Sequence, residues 1–129
     1  MSISETVSKP FTFDEQLEDD FLTEYCDGDL DFCLSMFEVF LETVSKEILQ
    51  LSTAISVRDF SKISEIAHRV KSNFAYVGFS RDGESLSLID AAAKSGQVHP
   101  DANQTIEFIK SHIIIVEKEN IRLSAYLQS

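Results

Sequence analysis

The sequence predicts an all-α fold, an antiparallel four-helix bundle (up-down-up-down) with a short additional N-terminal helix. Three observations carry that expectation. Apolar residues recur at three- and four-residue steps over long stretches, the period of a helix with one buried face. Gly and Pro are scarce, four and two in 129 residues, whereas an all-β chain needs many turns. Apolar residues make up 43% of the chain, enough for one domain to hold a core without staples.

Residues 1–12 are polar and Ser/Thr-rich and contain Pro10, so they read as a flexible lead-in; residues 13–129 form the bundle domain. From about 13 to 25, Leu17, Phe21 and Leu22 recur at helical spacing in an acidic background, a short amphipathic helix. Asp27-Gly28 marks a turn, and Asp29 is placed to cap the next helix. That second helix covers roughly 30–56 and buries Leu30, Cys33, Phe37, Phe40, Val44, Ile48, Leu51 and Ile55. Asp59 caps a third helix, roughly 60–77, with the stripe Phe60, Ile63, Ala67, Val70, Phe74 and Val77. Gly78 follows where a left-handed C-terminal cap is expected. A fourth helix spans about 81–95; Gly83 weakens its first turns by about 1 kcal/mol relative to Ala, and Gly96 ends it. Pro100 suits the first turn of a fifth helix, roughly 101–127, striped by Ile106, Ile109, Ile113, Val116, Asn120, Leu123 and Leu127. Ile113 to Val116 alone would suit a strand, but the period on both sides argues for helix.

Composition excludes several function classes. Lys plus Arg number 11 and Asp plus Glu 22, a formal net charge of −11 that repels phosphate backbones and anionic lipid. Neither nucleic acid nor membrane is an expected partner. The longest apolar run, Ile113 to Val116, is far short of the ~20 residues that span a bilayer, and the N-terminus has no signal-peptide pattern. Cys26 and Cys33 form no Cys-x-x-Cys pair and no zinc-spaced cluster. Two thiols make no disulfide scaffold, so a reducing, cytoplasmic compartment is expected, with no metal site.

On a helical wheel His68 lies opposite the buried stripe of the third helix. Its neighbours on that outer face are Ser61, Ser64, Lys71, Ser72 and Ala75, mostly small. A solvent-facing imidazole titrates near ~6.5, so much of it is neutral at pH 7 with a lone pair free for nucleophilic attack. The Lys71 ammonium would disfavour the imidazolium and attract an arriving phosphoryl group. The residues alone leave two readings open: an ordinary solvated histidine, or a phosphoacceptor that another protein can approach closely.

The segment Ala67-His68-Arg69-Val70-Lys71-Ser72-Asn73-Phe74-Ala75-Tyr76-Val77-Gly78 resembles the phosphoacceptor motif of histidine-containing phosphotransfer (HPt) domains. His68, Val70, Lys71 and Gly78 match that pattern in position, and the similarity extends over about residues 13–127. The family's Gly after the Lys is Ser72 here, and the small residue after that is the larger Asn73. The resemblance implies a phosphorelay carrier. His68 takes a phosphoryl group from the aspartyl phosphate of a receiver domain, most simply through Nε2, and passes it to another receiver aspartate. Lys71 stabilises the phosphoryl group, while Ser64, Ser72 and Ala75 keep the approach open. Gly78 ends the acceptor helix. Asp90, on the following helix, matches the position of a polar residue that orients the ring; otherwise it is a helix-surface acid. Leu17, Phe21 and Leu22 either cover the bundle or meet the receiver. The implied partners are receiver domains of response regulators or hybrid histidine kinases. Any Mg²⁺ is supplied by the receiver, this chain needs no cofactor, and a face kept free for receivers fits a monomer.

Other chemistries fare worse. Glu65-x-x-His68 matches half of a di-iron bundle motif, but neither His99 nor His112 has a Glu three residues before it. The four glycines are scattered and form no phosphate-cradling loop, so no autonomous kinase activity is expected. The remaining alternative is a non-catalytic helical adaptor that binds a receiver or another partner without carrying phosphate.

Overall fold

The computed structural model describes residues 11–26 and 28–129, the side chains of Phe21, Thr23 and Tyr25 excepted; all other structural statements refer to these residues. The lead-in expected at 1–12 lies outside them up to residue 10. Every regular element among the described residues is helical: α1 (Asp19–Cys26), α2 (Leu30–Ser56), α3 (Phe60–Val70), a 3₁₀ segment (Lys71–Val77), α4 (Ser80–Lys94) and α5 (Ala102–Gln128). The caps follow from local chemistry. The carboxylates of Asp29 and Asp59 accept from the amides of Phe32 (3.0 Å) and Lys62 (3.2 Å), satisfying amides left without helical partners. Gly78 adopts φ +91°, the left-handed cap that a side chain would strain.

The core is one continuous cluster. The stripes of α2, α3 and α5 meet there, with Phe37, Ile48, Leu51, Ile63, Phe74, Leu86, Ile109 and Leu123 shielded from water. The most extensive packing pairs α2 with α5 and α3 with α4, while α4 touches α5 only lightly. That light contact is reinforced by a buried polar pair, Asp82 Oδ2 against His112 Nδ1 at 2.6 Å, with Phe79 stacked on the imidazole at 4.2 Å.

Four expectations are corrected. The first helix begins at Asp19 rather than near residue 13; Leu17 N instead bonds back to Asp14 O in a turn. The third helix leaves α geometry at Val70 and continues as 3₁₀ to Val77, a tightening that still buries Phe74 and Val77 three residues apart. Within α5 the buried polar position is Glu119, not Asn120: Glu119 accepts from the Asp14 amide at 2.8 Å and pairs with Arg122. Arg122 also reaches Thr12 O and lies over the Phe11 ring, so residues 11 and 12 are packed. Finally, Cys26 and Cys33, expected as reduced thiols, form a disulfide. The turn at Gly28 brings their Cα atoms to 5.4 Å, within bonding range, and ties α1 to the first turn of α2.

Candidate functional site

His68 stands on α3 because Ile63, Ile66, Ala67 and Val70 turn the opposite face into the core. Its side chain is 66% exposed. Behind it, on α4, Asp90 is 95% shielded, among the buried Leu86, Ile89 and Ala93. The cause is a close approach of the two helices. A Cβ added to Gly83 would sit 2.5 Å from the Lys71 carbonyl oxygen, so only glycine lets α4 lie this near α3 and the 3₁₀ segment. Asp90 is two turns along α4 from Gly83, on the same face, and the same approach places it against α3.

Ser64 Oγ donates to Asp90 Oδ1 at 2.5 Å. The other carboxylate oxygen faces two cations-in-waiting: Lys94 Nζ at 3.3 Å and His68 Nδ1 at 3.7 Å. Burial alone would push the Asp90 carboxyl up; the hydrogen bonds from Ser64 and Lys94, with the charges of Lys94 and His68, outweigh it and hold the carboxyl below its ordinary range. At neutral pH the group behind His68 is therefore an anion. Only Nδ1 is near it, which leaves Nε2 on the far side of the ring toward solvent.

The remaining sequence-predicted residues divide. Lys71 is half-buried at the start of the 3₁₀ segment, Ser72 is exposed, and Ala75 is half-buried, leaving low relief beside His68. Ser64, expected on the open outer face, is half-buried and engaged with Asp90. Glu65 turns to Arg69, whose guanidinium also holds Glu47 of α2 at 2.5 Å, so this cation is anchored away from the imidazole. Gly78 does end the 3₁₀ segment. Its carbonyl accepts from Glu18 N at 2.8 Å, and an added Cβ would meet Leu17 Cβ at 3.0 Å. That contact corrects the partner surface. Leu17 (4% exposed), packed under the Gly78 turn, and Leu22 (0%) belong to the core and are closed to a partner; the side chain of Phe21 lies outside the described residues.

Two features escaped the sequence reading. Lys94 belongs to the Asp90 cluster, and its i,i+4 spacing from Asp90 was a visible signal. A groove of about 420 Å³ runs between α2 and the 3₁₀ segment, lined by Phe32, Met36, Val39, Phe40, Asn73 and Tyr76. Phe32 and Val39 are 48% and 62% exposed, a larger apolar surface than a solvated helix face requires.

The bundle thus holds the His68 imidazole out to solvent with the buried Asp90 carboxylate behind it. The family comparison agrees. The Hpt domain model matches residues 35–119, about two thirds of the chain, and the chain belongs to that family, whose members act in the phosphotransfer of two-component signalling. No curated protein and no solved structure matches it. Among the described residues no helix is long and apolar enough to cross a membrane.

Proposed function

We propose that this chain is a phosphorelay carrier, its phosphoacceptor His68, moving phosphoryl groups between receiver-domain aspartates. The observation that carries the proposal is the imidazole itself: 66% exposed, on a low-relief face, with an anionic Asp90 at Nδ1 and Nε2 turned outward. The Nε2 lone pair attacks the phosphorus of an aspartyl phosphate in line. Asp90 orients the ring, Lys71 neutralises the incoming phosphoryl charge, and Ser72 and Ala75 leave room for the receiver's loops. The receiver brings the Mg²⁺ and its acidic pocket, so this chain acts without a cofactor of its own. The bundle runs up-down-up-down and works as a monomer. The receiver docks over His68 and the neighbouring groove at Phe32, Met36 and Val39, in place of the buried Leu17 and Leu22.

The test is incubation with a phosphorylated receiver. The expected result is label on the wild type, stable in base and labile in acid, and none on His68→Gln. A chain that binds the receiver yet takes no label is the adaptor instead, and the carrier reading falls.

A further inference from the structure

His68 and Asp90 are unequally held. The carboxylate is 7% exposed and fixed by Ser64, whereas the imidazole is 66% exposed. At 3.7 Å the Asp90–His68 contact is longer than a hydrogen bond, so a small ring rotation makes or breaks it. Lys94 Nζ stands nearer to the same oxygen, at 3.3 Å. One carboxylate oxygen thus stands between two competing groups, bonded to Lys94 and within reach of His68. From α3 the groups facing Asp90 are Ser64 and His68; from its own helix, Lys94; Lys71 follows one turn beyond His68 on the 3₁₀ segment.

We propose that Ser64 and Lys94 are positioning residues for phosphoryl exchange: Ser64 aims the Asp90 carboxylate at Nδ1, and Lys94 takes up part of its charge so that the ring keeps one proton rather than two. This rests on the carrier reading. The balance of the reaction explains why both are needed. In the forward step the Nε2 lone pair forms the N–P bond, the receiver's O–P bond breaks, and its electrons return to the aspartate carboxylate. The Nδ1 proton remains on the ring, facing Asp90. In the reverse step a carboxylate oxygen attacks phosphorus, the N–P pair returns to Nε2, and a neutral Nδ1–H imidazole is left. Neither direction requires a proton from water, provided Nδ1 alone is protonated beforehand. Without Ser64 the carboxylate swings away and the proton distributes over both nitrogens. Without Lys94 the full carboxylate charge acts on the ring and favours the doubly protonated, non-nucleophilic imidazolium. The low position of the Asp90 carboxyl, maintained against its burial, is consistent with this role.

The experiment is ¹⁵N–¹H correlation NMR of the full, unphosphorylated chain across pH 5–9, with His99 and His112 as internal references, for wild type, S64A, K94M and K94R. Lys94 is 64% exposed at the end of α4, so its replacement leaves the fold intact. The expected result is an Nδ1–H tautomer in the wild type. S64A should mix the tautomers, K94M should enlarge the doubly protonated share of His68 at a given pH by about threefold, and K94R should restore it. Identical tautomers and protonation in all four chains overturn the proposal. Receiver phosphotransfer is measured on the same samples. A wild type that takes no phosphoryl group refutes the carrier reading and the exchange role together. Normal uptake with an unmoved His68 refutes the roles of Ser64 and Lys94 alone.

Discussion

Replacing Gly83 with Ala tests the close approach on which the site geometry depends. Two opposing effects set its size. In an exposed helix Ala stabilises by about 0.8–1.0 kcal/mol relative to Gly. Here the added carbon would lie 2.5 Å from the Lys71 carbonyl oxygen, a backbone atom that cannot rotate aside as a side chain could. Relief requires α4 or the 3₁₀ segment to shift by about 1 Å, and overpacking of this kind costs about 1–3 kcal/mol. The clash wins, for a net loss of up to about 2 kcal/mol and a Tm lower by up to about 8 °C in a domain of this size. The same shift lifts Asp90 from His68, so phosphoryl uptake by folded G83A should fall at least tenfold, since misplacement on the scale of 1 Å can cost more than that. Thermal unfolding followed by circular dichroism, with uptake from a phosphorylated receiver measured well below the transition, reads both effects. A G83A chain as stable as the wild type, or more so, shows that helix propensity alone governs the position and refutes the close approach. A destabilised chain with unchanged uptake breaks the link from Gly83 to the site.

Two further outcomes follow from the rest of the fold. Burial pushes the Asp82 carboxyl up, and the hydrogen bond and charge of His112 only partly offset it, so the folded chain holds this proton more tightly than the unfolded one. Stability contributed at Asp82 is therefore full below the ordinary carboxylate range and is lost as pH rises toward the folded value, at most about 1.4 kcal/mol for each pH unit of that window. D82N, which has no such proton, should gain on the wild type between pH 4 and neutrality in urea titrations; a D82N chain that loses ground to the wild type as pH rises contradicts the burial argument. Reducing the Cys26–Cys33 disulfide opens a short loop and should lower stability by about 2 kcal/mol, with early amide exchange confined to α1 and the first turn of α2. Exchange unchanged on reduction would show that packing of Leu22 alone holds α1.

The sequence is informative about faces and uninformative about what meets them. The stripes of α2, α3 and α5 were legible because burial imposes a period, and Ile113 to Val116 was legible as helix because its flanks keep that period. His68 was legible as an outward residue for the same reason, as the complement of Ile63, Ala67 and Val70. The change to 3₁₀ after Val70 was not, because Phe74 and Val77 are three apart and satisfy both windings over a single turn. Leu17 and Leu22 show the limit most clearly. Their spacing marks a buried face, but whether that face meets a partner or the Gly78 turn depends on where the chain returns sixty residues later.

Asp90 carries the same lesson into chemistry. Among the residues of α4 it reads as a surface acid, set apart from Asp82 only by the Lys94 four residues on. Both are buried, yet their carboxyls move in opposite directions. Asp82 meets one imidazole, His112, while burial, aided by the charge of Glu18, pushes the other way and prevails. Asp90 meets a hydroxyl and an ammonium together, and its charge is retained. The difference lies in the register between helices, which Gly83 sets by what it lacks. A residue that reads in sequence as a defect in a helix is, in the fold, the point that brings an anion to the back of an exposed histidine.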